Sequence, residues 1–200
     1  MRDTQREKVE AYEMTPNVER IIEAILAIVY EAGNRGLRVT QYDVVKSLFL
    51  ADRAHLNKYG RPITYDNYRA LLHGPVPMLA YDFLRENSYA MRANGIYFFP
   101  WTRKEAFDIC ESCYSYEGAD RAPDEDVLSP SDLTELYAAL TIIKSLRFGQ
   151  IRKLTHEDQA YIDAWEDNSE QRSFPMSYTL LFDEPNVAAA KEVCFLSQHL

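Results

Sequence analysis

Residues 48–84 read LFLADRAHLNKYGRPITYDNYRALLHGPVPMLAYDFL, a helical pattern interrupted by two groups of helix-breaking residues. Leu48 and Leu56 lie on one apolar helical face, and Gly60 is typical of the position at which a helix ends. Gly74-Pro75-Val76-Pro77 excludes helix, because proline lacks an amide donor and forces the preceding residue into an extended conformation. The stretch therefore predicts a long helix, a rigid non-helical segment and another helix that begins near Pro77.

Capping residues and apolar spacing predict further helices on both sides of this stretch. A Ser, Thr, Asp or Asn side chain can accept a hydrogen bond from a free amide of the first turn, and proline is tolerated at the first helical position. The predicted helix starts are Thr15-Pro16, Thr40 with Asp43, Pro77, Ser129 or Ser131, Thr155 with Asp158, and Pro185. The first helix is expected to end at Gly33 or Gly36, and the helix after Ser131 near Phe148-Gly149.

One β-hairpin is predicted as well. Asn94-Gly95 separates residues 89–92 from residues 96–99, and Asn and Gly both accept the positive φ angles of a type I′ turn. The expected fold class is mostly α (α+β), a compact multi-helix domain with one small β-hairpin. Residues 15–200 are expected to form this single domain, with an acidic loop near residues 116–130, and residues 1–14 to form a mobile N-terminal arm.

The charge of the chain argues against a nucleic-acid partner. The sequence has 31 acidic and 22 basic residues, a net charge of −9, whereas phosphate binding depends on Lys and Arg displacing counterions. The two helices joined by residues 33–40 could resemble a DNA-binding helix-turn-helix motif. The second of these helices, however, carries few basic side chains for phosphate contacts. The longest apolar run is far short of the ~20 residues that span a bilayer, and the N-terminus lacks the apolar segment of a secretory signal. We therefore expect a cytoplasmic protein that binds neither nucleic acid nor membrane.

Nothing in the sequence predicts catalysis, a cofactor or a metal site. Cys110 and Cys113 have the spacing of a metal or redox pair, but the second ligand pair and the βαβ frame are missing, so we interpret them as structural residues on a helix. The histidines form no metalloprotease motif, and the isolated glycines form no phosphate-binding loop. Asp52 and Arg53 are interpreted as part of a solvated helix face. We expect that the protein is not an enzyme.

Two separated blocks of the sequence resemble the Panacea (SocA-like) antitoxin domain. The first block follows the pattern L-x-x-A-x-x-x-x-L-x-x-x-G-x-P and continues to an alanine and a Gly-Pro-Val turn. The second block is Leu-Thr-His, at the predicted start of a helix whose first turn would contain the histidine. The residues that carry the resemblance are Leu48, Ala51, Leu56, Tyr59, Gly60, Pro62, Ala70, Gly74, Pro75, Val76, Leu154, Thr155 and His156. Most of them can be explained by helix ends, turns and core packing, so the resemblance supports the fold more strongly than the function.

The resemblance implies a function in a bacterial or phage toxin–antitoxin system. Panacea domains are helical antitoxins that neutralise a cognate protein toxin by direct binding, and the toxin is usually encoded by an adjacent gene. Two alternatives stay open at this point. The protein could be an adaptor that delivers a toxin to a ClpXP-type protease, or it could regulate its own operon.

The rigid segment from Tyr59 to Pro77 is the expected partner-binding surface. Fixed turns present side chains at low entropic cost, and tyrosine is favoured at protein interfaces. The candidate partner-binding residues are Tyr59, Tyr65, Tyr68, His73, Pro75 and Val76. Tyr65 and Tyr68 are expected to be surface residues whose replacement by alanine leaves the protein folded.

Overall fold

The computed structural model describes residues 8–167 and 169–200, which form eight α-helices, six short strands and one 3-10 turn at Tyr178–Leu180. The helices are α1 (Val18–Asn34), α2 (Gln41–Tyr59), α3 (Met78–Leu84), α4 (Ser88–Ala93), α5 (Pro130–Ser145), α6 (Phe148–His156), α7 (Gln159–Ala164) and α8 (Val187–Ser197). The strands are β1 (Val39–Thr40), β2 (Tyr68–Leu71), β3 (Gly74–Pro77), β4 (Thr102–Glu105), β5 (Tyr114–Glu117) and β6 (Phe174–Pro175). The predicted fold class, mostly helical α+β, is confirmed.

Helix α2 is central and packs most extensively against α5, which also contacts α1. Thr40 and Asp43 form the predicted capping box, because the Thr40 hydroxyl accepts from the Asp43 amide and the Asp43 carboxylate accepts from the Thr40 amide. Gly60 ends the helix in the left-handed conformation, with φ +78°. Both predicted boundaries of α2 are confirmed.

The strands form two three-stranded antiparallel sheets, ordered β1-β5-β4 and β3-β2-β6. In the second sheet β2 and β3 form a tight hairpin, in which Leu71 pairs with Gly74 and Leu72 and His73 occupy the tip. Strand β6 joins from the far end of the chain, with Phe174 opposite Ala70. The rigid segment of the central sequence stretch is therefore largely a β-hairpin.

The hairpin predicted around Asn94-Gly95 is wrong. Residues 88–93 form α4, whose first amides donate to the side chain of Asn87, and residues 96–99 are not a strand. Gly95 adopts φ +69° just after the helix, so the Asn-Gly pair ends a helix instead of reversing a strand. Asn and Gly favour positive φ in both settings, which is why the pair alone does not separate them.

Two predicted helix starts, those of α1 and α8, were misplaced by two residues, whereas the predicted cap of α5 at Ser129 is confirmed. The side chain of Asn17 caps α1, which begins two residues after Pro16. Ser129, the first of the two proposed serines, caps α5 and places Pro130 at the first helical position. Asn186 caps α8, just after Pro185.

The expected boundary at Phe148-Gly149 is also wrong, because these residues begin α6 after α5 has ended at Ser145. Thr155 lies in the last turn of α6, where its hydroxyl donates to the Ile151 carbonyl at 3.1 Å. Asp158 alone caps the following helix, α7. His156 is consequently at a helix C-terminus and not in a first turn.

The predicted N-terminal arm and the predicted acidic loop both differ from what the sequence led us to expect. Residues 1–7 of the predicted arm lie outside the described residues, whereas residues 8–14 lie against the domain. The Met14 amide donates to Asn67 Oδ1 at 2.8 Å, and the Met14 side chain is buried. The beginning of the predicted acidic loop belongs to β5, and Arg121 in its remainder pairs with Glu23 of α1.

Candidate functional site

The tip of the β2–β3 hairpin stands beside an open groove of about 450 Å³, called here the hairpin groove. Its lining residues come from α2, the hairpin, α3 and the segment before β6: Gln41, Tyr42, Val45, Lys46, Leu71, Leu72, His73, Val76, Tyr81 and Arg172. A second groove of about 480 Å³ shares Gln41, Tyr42 and His73 with it and continues along Phe148 to the β4–β5 turn. The two grooves make one largely apolar face.

Gly74 is the residue at which the separated sequence blocks meet. It has φ +99°, and a Cβ atom there would lie 2.7 Å from Thr155 Oγ1 and 2.9 Å from Lys46 Nζ. His156 Cδ2 would be 3.4 Å away. Only glycine fits both the backbone conformation and the space. The contact explains why the family signature includes both the glycine of the Gly-Pro-Val turn and the distant Thr155-His156 pair.

Lys46 lies below this turn and is only 1% exposed. Its Nζ donates to the Pro75 carbonyl at 2.7 Å and lies 5.3 Å from the centroid of the Tyr42 ring. Burial lowers the pKa of the Lys46 ammonium to about 7. Across residues 8–167 and 169–200, no carboxylate forms an ion pair with it.

His156 is held against the hairpin by an aromatic contact. Its ring lies 4.2 Å from that of Tyr161, and the Tyr161 hydroxyl donates to the Leu71 carbonyl at 2.9 Å. Burial, followed by the positive charges of Arg152 and Lys46, lowers the pKa of His156 to about 4. The imidazole is therefore neutral near pH 7 and braces the hairpin.

Three polar atoms near the groove are buried without a hydrogen-bond partner in the described part of the chain. They are Gln41 Nε2, Tyr42 Oη and His156 Nε2. Buried polar atoms normally find partners, and those that do not are often completed by a group from outside. The hairpin groove thus contains an unpaired cation and unused hydrogen-bonding groups.

Asp52 is a buried anchor that sequence reasoning missed. The expectation of a solvated face is wrong for Asp52, which is 2% exposed and accepts from Ile63 N at 2.7 Å, Thr64 N at 3.0 Å, Tyr68 Oη at 2.8 Å and the Thr64 hydroxyl. Burial raises the pKa of this carboxyl group. Its spacing of four residues from both Leu48 and Leu56 places it on their buried face, a signal that could have identified it.

The six candidate partner-binding residues do not form one surface. Tyr65 and Tyr68 are 3% and 2% exposed, so they are core residues and do not present their rings to a partner. Pro75 and Val76 are also buried, whereas His73 is exposed at the hairpin tip.

Tyr59 is exposed but lies elsewhere. It is at the end of α2, on the order of 20 Å along the helix from Lys46, at 1.5 Å per residue. Its ring packs against that of His55, 4.4 Å away. Of the six candidates, only His73 is both exposed and part of the groove face.

The remaining signature residues are mostly architectural, as expected. Leu48, Ala51, Leu56 and Ala70 are at most 1% exposed, and Pro62 is buried. Leu154 differs, because it is 42% exposed on α6. It therefore does not contribute to the core.

The prediction that Cys110 and Cys113 lie on a helix is wrong. They occupy the turn between β4 and β5, beside the second groove, where they form a disulfide. In the described residues no group of three or more His, Cys, Asp or Glu side chains could hold a metal ion.

Comparison with known proteins gives one match, to a family profile. Residues 44–162 match the family described as "Antitoxin SocA-like, Panacea domain", a span that contains most of α2, the β2–β3 hairpin, and Thr155 and His156. No curated protein and no solved structure matches the chain. No helix in the described ranges has both the length and the apolar composition needed to cross a membrane. Because the matched span exceeds half of the sequence, the chain belongs to the SocA-like Panacea antitoxin domain family.

Proposed function

We propose that this protein is an antitoxin that neutralises a cognate toxin by binding it directly, with no catalytic step of its own. The observation that carries the proposal is the antitoxin-family match over residues 44–162. The toxin is expected to be encoded by an adjacent gene, in a bacterium or a phage, and the complex to form in the cytoplasm.

The groove face is the proposed contact surface. Leu72 at the hairpin tip is 54% exposed, and Phe148 on α6 is 53% exposed. Phe148 packs against Tyr42 at 4.9 Å and against His73 at 5.7 Å between ring centroids, and Leu72 lines the same groove as Tyr42 and His73. Exposed apolar patches beside a groove are typical of protein-binding sites.

The surface is also rigid, which favours binding. Gly74 is enclosed by Thr155 and Lys46, and Tyr161 bonds to the hairpin backbone. A surface that is already ordered loses little conformational entropy when a partner binds. This surface replaces Tyr65 and Tyr68 as the place to look for toxin contacts.

The test is co-expression of the adjacent small reading frame with wild-type protein or with a double variant, Leu72→Asp with Phe148→Asp. The wild type should restore growth, and the variant should bind the toxin about tenfold or more weakly and fail to protect. Phe195→Asp is the control, because Phe195 is 61% exposed on α8, outside the matched residues. Neutralisation by the double variant at wild-type affinity would remove the groove face from the proposal.

The same cells separate direct neutralisation from delivery to a protease. If the protein masks the toxin, the toxin's half-life should not shorten when the protein is present. A toxin that disappears faster only in cells with an active ClpXP-type protease would favour an adaptor. Binding to operon DNA at physiological salt, measured by gel shift, would favour an autoregulator.

A further inference from the structure

In its protonated form, which prevails below a pH of about 7, Lys46 carries a charge that no carboxylate of the described residues balances. Its side chain is 1% exposed, and its Nζ donates a hydrogen bond to the neutral carbonyl of Pro75. Buried ammonium groups are costly unless a negative charge accompanies them. Within the described ranges Lys46 has no acidic partner, although 31 acidic residues are available in the chain.

Positive charge lies close to Lys46, and Asp167 is the acidic group that also acts on the neighbouring His156. Arg152 and His73 act with Lys46 to lower the pKa of His156, and Arg172 lines the same groove. Asp43, on the same helix, is already engaged by the Thr40 amide at 2.8 Å and by Lys144 at 3.2 Å. The groove is therefore locally cationic in a protein whose net charge is −9.

The unused hydrogen-bonding groups suit the same kind of ligand. Gln41 Nε2 is a donor, Tyr42 Oη can donate, and both atoms are buried without partners in the described residues. Both residues line the groove together with Lys46. The remaining lining is dominated by apolar side chains, including Val45, Leu72 and Val76.

We propose that the hairpin groove binds a carboxylate carried on an apolar segment of the toxin, with Lys46 as its counter-ion and Gln41 and Tyr42 as hydrogen-bond donors. This inference rests on the proposed function, since it names the chemistry by which the toxin would occupy the same face. A carboxylate supplies the missing negative charge, and the neighbouring apolar atoms cover the groove walls. Burial of the ion pair under the bound segment makes the contact selective, because a neutral group leaves the ammonium unpaired.

The first test uses Lys46→Met, which keeps an unbranched side chain, one heavy atom shorter, and removes its charge. The variant should be folded and should bind the toxin about tenfold or more weakly in a calorimetric titration. Lys153→Met is the matched control, because Lys153 is exposed on α6 and its removal should leave the affinity unchanged. Tyr42→Phe removes only an unpartnered hydroxyl, so it should fold normally and bind severalfold more weakly.

The second test uses small probes and does not require the toxin. Hexanoate and hexanamide have the same alkyl chain and differ in the charge of the head group. Hexanoate should bind the wild type about tenfold more tightly than hexanamide, and Lys46→Met should abolish the difference. The binding can be followed by chemical-shift changes of the Lys46 and Tyr42 side chains.

The outcomes separate this inference from the proposed function. If the wild type binds and neutralises the toxin while Lys46→Met and Tyr42→Phe bind it equally well, the carboxylate site is refuted and the antitoxin function stands. Equal binding of hexanoate and hexanamide to the wild type would also refute the site. Wild-type protein that neither binds nor neutralises the toxin would overturn both proposals.

Discussion

Replacement of Asp52, on α2, by alanine should be the most damaging single change to the contacts that hold the non-helical segment after this helix. The carboxylate accepts two backbone amides, from Ile63 and Thr64, and two hydroxyls, from Thr64 and Tyr68. A buried donor that loses its partner costs about 1–3 kcal/mol. The hydroxyls can rotate toward other acceptors but the two amides are fixed, so the expected loss is about 3–5 kcal/mol of unfolding free energy.

Asparagine provides a matched comparison at the same position. The Asn oxygen can still accept from the two amides, while the Asn NH2 group can donate to hydroxyls that turn to accept. Asp52→Asn should therefore cost only about 1–2 kcal/mol, and Tyr68→Phe, which deletes one donor, about 1 kcal/mol.

Urea unfolding at pH 8, followed by circular dichroism, gives the three free energies on one scale. A typical domain has about 5–15 kcal/mol of stability, so Asp52→Ala should be largely unfolded or should unfold at a much lower urea concentration. An alanine variant within about 1 kcal/mol of the wild type would show that the carboxylate does not hold this segment.

Two further predictions concern the hairpin and the buried lysine. Gly74→Ala should destabilise the protein by about 2–4 kcal/mol in urea unfolding, because the new methyl group would lie 2.7 Å from Thr155 Oγ1 in a backbone with φ +99°. Gly33→Ala is its control, with nothing within 4 Å of the added atom, and equal effects of the two changes would contradict the argument. In the folded protein the pKa of Lys46 is lowered from 10.5 to about 7. Between these pH values the unfolded chain binds more protons than the folded protein, so the unfolding free energy of the wild type rises with pH. Relative to the wild type, Lys46→Met should therefore be most stable near pH 6.5, and this advantage should decrease by about 4 kcal/mol by pH 10, as measured by urea unfolding across that range. A pH-independent difference would show that the burial of Lys46 is not costly.

The sequence predicted best where the determining interactions are local. Thr40 and Asp43 are three residues apart, and Gly60 acts through its own backbone, so α2 could be bounded correctly. The hairpin prediction at Asn94-Gly95 was wrong because the same two residues are compatible with a turn and with a helix end. The competing signal was Asn87, which caps α4 and lies seven residues before Asn94.

The candidate site was harder to predict, since its parts meet through long-range contacts. Tyr68 is buried because β6 pairs with its strand and Asp52 accepts its hydroxyl, neither of which follows from the neighbouring sequence. The environment of Lys46 depends on Gly74 and on Thr155, which is more than 100 residues away. The family resemblance pointed to Gly74, Thr155 and His156, but it did not show that they lie around the Lys46 ammonium group.

The core around Tyr68 is assembled from both ends of the chain. Met14, Tyr178 and Val193 belong to the same buried cluster, and the Thr15 amide donates to Ser197 Oγ at 3.0 Å. Because synthesis proceeds from the N-terminus, this cluster has no C-terminal half until α8 has left the ribosome. A nascent chain that ends at residue 162 contains the whole matched family region and still leaves Tyr68 without Tyr178. The completion of α8 therefore sets the earliest moment at which a newly made chain can be fully folded.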